Sequence, residues 1–251
     1  MGKLRKKILI KSFFKKDDYL SEVLNKNVYI LFNFLNKSEK ILLESLNELC
    51  NQYLQEDLFV YVKVKTNLIH QINKIESLGF RLIDTNITFS RSSNLGYEEV
   101  VGDDIFIKFA KSSYKHSIGE IAFNNFKFSR FHLDPNIKKS QADNLKKYWV
   151  ENFFSGHRGH YMITALCKNK PIGFLQLLKK ENKIIIDLIA VSSGYRGKRI
   201  GSSMIEFACN KIQFDIITAG TQISNLPSIN LYLKLGFKPI TSDYVFHFHN
   251  I

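Results

Sequence analysis

The sequence predicts an α/β fold: a central mixed, largely antiparallel sheet flanked by helices, in one full domain preceded by a truncated copy of itself. Three observations carry this expectation. Strand-length apolar runs alternate with helix-period stretches through the second half, Gly- or Lys-rich turns separate them, and a segment of the first half repeats without gaps near the C-terminus. With 251 residues, 45% of them hydrophobic, the chain allows one large domain or two of roughly 100–150 residues, enough for a buried core. Thirteen Gly, four Pro and three Cys exclude a collagen-like chain, a disordered one and a disulfide scaffold.

The elements follow in order. Tyr161–Cys167, Ile172–Leu178 and Ile184–Val191 read as strands joined by the hairpin-like turns KNKP and KKENK. After a Gly-containing loop, Ile200, Met204, Phe207, Ala208 and Ile212 recur near helical spacing. Asp215–Gln222 reads as a strand and Pro227–Leu235 as a helix ending on Gly236, where a left-handed cap costs little. Tyr244–His249 closes the chain with strand alternation.

The repeat lays Phe59–Phe89 over Ile216–Phe246. Ile72, Asn73, Leu78, Gly79, Phe80, Ile83 and Phe89 then meet Ile229, Asn230, Leu235, Gly236, Phe237, Ile240 and Phe246, and both copies read strand, helix, Gly cap, strand. In the same register Glu44 lies opposite Gly201, Leu68 opposite Asn225 and Ile75 opposite Tyr232. The first copy lacks the loop glycine, the amide and the phenol. Residues 1–95 are therefore expected to be a degenerate scaffold domain and 96–251 the catalytic one, with Ser92–Asp104 as the connection.

Charge and cysteines bound the partners. Thirty-six Lys and Arg against 23 Asp and Glu give a formal charge of +13, which invites a polyanion: nucleic acid, an anionic membrane face or a phosphorylated small molecule. General Lys, Asn and Ile enrichment explains part of it equally well. Cys50, Cys167 and Cys209 are far apart and odd in number, which suits neither a zinc motif nor disulfides and fits a reducing cytoplasm. The opening MGKLRKKILIKSFFKKDD has no apolar run of signal-peptide length, and no later stretch reaches the roughly 18 apolar residues of a membrane span.

The chemistry concentrates after Val191. The string Ser192-Ser193-Gly194-Tyr195-Arg196-Gly197-Lys198-Arg199-Ile200-Gly201-Ser202 is a basic turn between a strand and a helix. Unpaired amides and the positive dipole end of the helix make an anion site there, to which Arg196, Lys198 and Arg199 add charge. A diphosphate fits such a turn. Walker A is excluded because no GKS or GKT ends the loop, and no dinucleotide fingerprint follows an N-terminal strand.

With these residues in view the chain resembles the GNAT family of acetyl-CoA-dependent N-acetyltransferases. The family motif R/Q-x-x-G-x-G/A is met by Arg196 to Gly201, with Arg199 where the family has its first glycine; N-x-x-S/A-x-x-x-Y-x-K-x-G-F is met by Asn225, Ser228, Tyr232, Lys234, Gly236 and Phe237. LGFRLIDTNITF, SRFHLDPNI and YWVENFF look like the dTDP-fucosamine acetyltransferase group. The resemblance implies the GNAT fold and acetyl transfer to the 4-amino group of a dTDP-linked 4-amino-4,6-dideoxyhexose, in the biosynthesis of surface polysaccharides such as lipopolysaccharide. It also implies that Ile189, Ala190 and Val191 offer backbone groups to the pantetheine arm, that Arg196, Gly197, Lys198, Arg199, Ile200, Gly201 and Ser202 hold the pyrophosphate, and that Asn225 orients the cofactor or caps its helix.

Tyr232 is the expected catalytic acid, because a phenol can protonate a departing thiolate as charge develops on sulfur. The alternative is that it packs on its helix. No base stands out: Asp187 sits within an apolar strand, where a carboxylate needs a partner, and either touches the acceptor or forms a structural ion pair. Arg130, His132 and Asp134 are expected near the sugar nucleotide, Arg130 on its diphosphate, with a solvated turn as the alternative. His247 and His249, two residues apart, share a strand face, and His157 and His160 lie close together in GHRGH, but no carboxylate or cysteine completes a ligand set, so no metal is expected. Tyr148 and Trp149 beside Lys146 and Lys147 read as an amphipathic helix rather than a base-stacking platform, and no nucleic acid is expected. The partner is a nucleotide-linked amino sugar, and the sequence leaves room for a homodimer. An acetyltransferase acting on another amine (an antibiotic, a polyamine, a protein terminus) and a non-catalytic coenzyme A sensor or nucleic-acid-binding module remain the rivals.

Overall fold

The computed structural model describes residues 10–92 and 104–250; most of the expected connection, residues 93–103, lies outside the described residues. Two compact units result. The first comprises the described residues of Met1–Asn86, Leu133–Lys138 and Ser242–Ile251, the second those of Ile87–His132 and Lys139–Thr241.

In the first unit the strand order is β1 (Phe14–Lys16), β2 (Asn27–Leu31), β3 (Leu58–Lys65) and β10 (Lys238–His249). β2 and β3 are parallel, so a crossover must join them, and the helix Glu39–Gln52 provides it. Ser38 caps that helix by accepting from the Ile41 amide, and Leu42, Leu46 and Leu49 line its buried face one turn apart. β3 alternates buried Val60, Val62 and Val64 with Tyr61, Lys63 and Lys65, and pairs antiparallel with β10 in the register Val62 to Phe246.

In the second unit the order is β4 (Arg81–Ser92), β9 (Ile216–Gln222), β8 (Lys183–Val191), β7 (Lys170–Lys180), β6 (Tyr161–Cys167) and β5 (Ile105–Phe109). β5 through β8 are successively antiparallel and β8 runs parallel to β9. The mixed, largely antiparallel sheet with flanking helices is the architecture the sequence predicts. The hairpin turns KNKP and KKENK close through left-handed residues, Lys168 and Asn169 in one and Glu181 in the other. Met204, Ile205 and Ala208 of the helix Ile200–Lys211 share a core with Ile184, Ile186 and Ile217. A second core joins Ile118 and Ala122 of the helix Lys115–Asn125, Val150 of the helix Lys139–Phe154, and Leu188 and Ala190 of β8. Among the described residues no helix is long and apolar enough to cross a membrane.

The two repeat copies take the same local form. β3, the helix Ile69–Ser77 and β4 correspond to β9, the helix Leu226–Lys234 and β10, and Gly79 and Gly236 both end their helices at positive φ, +84° and +75°. Asn225 caps its helix by accepting from the Ser228 amide, whereas Leu68 at the matching position makes no side-chain cap.

Candidate active site

The site begins with a defect in β8. Gln176 pairs with Leu188 but Leu177 with Ile186, so Asp187 is the extra residue of a β-bulge. A one-residue slip sends every later side chain to the opposite face, which is why Ile184 and Ile186 enter one core while Leu188 and Ala190 enter the other. Bulges also bend their strand. The parallel pairing of β8 with β9 ends at Ile186 and Ala219, and beyond that point the two strands line opposite sides of a cleft of about 570 Å³. On this side Asp187–Val191 offer backbone N–H and C=O groups to whatever enters, the arrangement by which a sheet edge accepts an extended ligand. Ile189, Ala190 and Val191 thus lie on the cleft wall.

The basic turn closes one end. Ser193–Tyr195 forms a single 3₁₀ turn, Gly197 has φ +79°, and Arg199 precedes the helix Ile200–Lys211 at φ +58°, a left-handed conformation that favours glycine. The motif has glycine at this position; Arg199 adopts the left-handed conformation there at a steric cost. Arg196 turns back to donate to the Val191 carbonyl at 3.1 Å and to Asn125 Oδ1 at 2.8 Å, pinning the turn to the strand it follows. Lys198 and Arg199 are exposed, Arg199 lying 3.8 Å from Glu206. Arg196, Gly197, Arg199, Ile200, Gly201 and Ser202 all line the cleft; Lys198, expected with them, does not, and its ammonium lies over the Tyr195 ring at 5.7 Å.

Tyr232 and Asn225 line the facing wall. Tyr232 is 3% exposed, its ring packed between Phe89 and Phe237, and burial pushes its phenol well above the usual tyrosine value. Burial therefore keeps the phenol in its neutral form. Asn225 is engaged twice, accepting from the Ser228 amide and donating to Thr221 Oγ1 at 3.1 Å.

Charged groups gather beside the bulge. Asp187 receives a bidentate pair from Arg158, both contacts at 2.7 Å, and a further bond from Gln176. Arg158 in turn lies over the Trp149 ring at 4.2 Å. Lys146, 6% exposed, lines the cleft with its amine over the rings of Trp149 at 4.5 Å and Phe126 at 5.3 Å. Burial pushes this ammonium down to about 7; Asp187 opposes that fall, while Arg130 and Arg158 add to it. Sequence reading placed Lys146 only in an amphipathic helix. The available signal was its period, since Ala142, Leu145, Lys146 and Val150 share the buried face of one helix.

Arg130, His132 and Asp134 do not line the cleft. Arg130 lies over the Phe131 ring at 4.5 Å. His132 sits between Ser129 at 2.6 Å and Asp143 at 3.0 Å; burial lowers its pKa against the pull of Asp143. Asp134 belongs to the first unit, where its buried Oδ2 meets His247 Nδ1 at 2.5 Å and His249 Nε2 at 2.8 Å. Burial alone would raise its pKa, but the bonds from His247, His249 and the Asn136 amide hold it well below the usual carboxylate range. Against the sequence expectation, a carboxylate thus does complete a set with the FHFH histidines, from more than a hundred residues away, the three ligand atoms lying within 4.8 Å of one another.

The cleft suits a long, phosphorylated thioester in three respects: a free strand edge, a positive turn at a helix start, and a buried neutral phenol on the opposite wall. Residues 126–237 match the acetyltransferase (GNAT) family. A stretch of 134 residues, 52% of this chain, is 33% identical to the spore coat polysaccharide biosynthesis protein SpsD of Bacillus subtilis (strain 168), and spans 46% of that protein, less than half its length. A GCN5-related N-acetyltransferase from Sphaerobacter thermophilus has the same fold with a TM-score of 0.62 at 9% identity, over 94% of this chain and 75% of that one. The tandem GNAT protein from the clavulanic acid biosynthesis pathway superposes with a TM-score of 0.59 at 10% identity, over 88% and 75%. Identities this low speak to fold alone.

Proposed function

We propose, from the premise that residues 126–237 are an acetyltransferase domain of the GNAT family, that this chain acetylates the 4-amino group of a dTDP-linked 4-amino-4,6-dideoxyhexose for surface-polysaccharide biosynthesis. The observation that carries the reaction is the opening between β8 and β9, with the basic turn and Tyr232 on the same cleft. The sugar assignment is supported by the 33% identity to a polysaccharide biosynthesis protein. Residues 1–95 serve in this reading as the scaffold half and 96–251 as the catalytic half.

Acetyl-CoA supplies the activated acyl carbon. The free edge of Ile189–Val191 would hold its pantetheine arm as an added strand, and the amides of Ile200–Ser202 with Arg199 its diphosphate. Arg196 keeps that turn in place through the Val191 carbonyl. Tyr232 holds the proton that the departing sulfur takes; burial keeps it on the phenol until charge develops. Asn225 fixes the start of the helix that carries Tyr232.

Thiol release from acetyl-CoA, measured against a panel of nucleotide-linked amino sugars, tests the reading. Turnover is expected with dTDP-linked 4-amino sugars. Failure with every nucleotide sugar together with turnover of another amine would reject the substrate, and calorimetry showing no association with acetyl-CoA would reject the reaction.

A further inference from the structure

Lys146 lines the cleft without a part in the mechanism above, and it breaks a local rule. Long cationic side chains reach for water or for a carboxylate. Its amine instead faces two aromatic rings and the cleft. Asp187, the carboxylate that acts on it, already gives both oxygens to the Arg158 fork and one of them also to Gln176. Around the amine stand Arg158 from the turn after its own helix, paired with Asp187 of β8, Arg130 and His132 from the short helix Arg130–Leu133, and Asp143 from its own helix, paired with His132. Both carboxylates are thus engaged elsewhere, and among the described residues none lies within ion-pair distance of Lys146. Four residues of strand separate Asp187 from Val191, roughly 13 Å, so this corner is distinct from the turn that receives the cofactor diphosphate.

We propose that Lys146 is the anion-recognition residue of the acceptor end of the cleft: its amine binds a phosphate oxygen of the incoming acceptor and takes up a proton from solvent as it does so. The proposal rests on the acetyltransferase reading and deepens it, because it requires a phosphorylated acceptor rather than a neutral or polycationic amine. The proton balance follows from the site. Without ligand, at pH 8, an ammonium pushed down to about 7 is mostly the neutral amine. An adjacent phosphate favours the charged form, so the complex holds close to one more proton than its separated parts.

The test uses the full chain with saturating coenzyme A, which occupies the cofactor turn, and titrates thymidine diphosphate by calorimetry at pH 8 in two buffers of different ionisation enthalpy. The wild type is expected to bind with uptake approaching one proton. Lys146→Met should lose about ten- to a hundredfold in affinity, the range for a charge-assisted hydrogen bond, and lose the uptake. Lys146→Arg, always charged, should bind without uptake. Methionine preserves the volume of the buried stem, and a thermal melt confirms its fold. Unchanged affinity in Lys146→Met, or wild-type binding with no proton uptake, overturns the proposal. Its failure is separable from that of the proposed function. Acetylation of a dTDP-amino sugar with the same KM in Lys146→Met sinks the role of Lys146 alone. Lys146-dependent nucleotide binding without acetylation of any nucleotide sugar sinks the proposed substrate and leaves the anion site standing.

Discussion

Replacing Lys146 by methionine should make the protein more stable at neutral pH. The folded chain holds this ammonium at about 7 against an ordinary 10.5, which corresponds to a cost of about 5 kcal/mol whenever the amine is protonated. Loss of the contacts with Trp149 and Phe126 gives back about 1–2 kcal/mol. The net gain for Lys146→Met at pH 7 is then on the order of 2–4 kcal/mol, in line with the general finding that apolar residues replace buried ions at little loss or at a gain. The sign with pH is fixed. Between the folded and unfolded values the unfolded chain binds more protons, so wild-type stability rises with pH through this window while that of the variant does not. The burial cost falls to about 2 kcal/mol at pH 9, and the advantage of the variant should shrink by about 2 kcal/mol between pH 7 and pH 9. Urea unfolding of both proteins at the two pH values measures this. A variant less stable than wild type at pH 7, or a gap that does not change with pH, would refute the account of Lys146 as a buried, destabilising cation.

Three further outcomes are expected. Tyr232→Phe should slow acetyl transfer by about a hundredfold, at the lower end of the range for general acids, with acetyl-CoA affinity unchanged by calorimetry; unchanged turnover would remove the phenol from proton donation. Arg199→Gly relieves a left-handed residue but removes a long, 3.8 Å contact with the buried Glu206, so the two effects offset and thermal unfolding should change by less than about 1 kcal/mol while acetyl-CoA binds more weakly by calorimetry; unchanged acetyl-CoA affinity would remove Arg199 from the cofactor turn. Asp134→Asn should destabilise by about 2–4 kcal/mol at pH 7. Because the folded pKa of Asp134 is depressed, its contribution is complete above the unfolded value near 4 and is lost as pH falls through the folded one, so the deficit should narrow at pH 3.

The hairpins β6–β7 and β7–β8 were legible because their turns carry residues that tolerate positive φ, Asn169 among them, and because Ile, Leu and Val fill the strands between. The repeat was legible because Gly79 and Gly236 end equivalent helices in the same conformation. The partners of polar groups were not. Asp134 is 113 residues from His247, and Arg158 is 29 from Asp187, and no local period links residues that only the tertiary fold brings together. The bulge left a single trace, an aspartate inside IIIDLIAV. Alternation there reads as one continuous strand face, whereas the structure switches faces at that residue.

The places where local rules fail lie along one cleft. Arg199 takes a glycine conformation, Asp187 interrupts a strand register, and Lys146 is a cation buried among aromatic rings. Each is unfavourable taken alone, and a sequence under selection for stability only would carry glycine, an uninterrupted strand and methionine at the three positions. The bulge opens β8 from β9, the turn aims helix amides into the opening, and the lysine waits at its far end. Stability lost at a ligand site is recovered when the ligand binds. The ionic-strength and pH dependence of acceptor binding, more than that of folding, is therefore where the +13 charge of this chain should be felt.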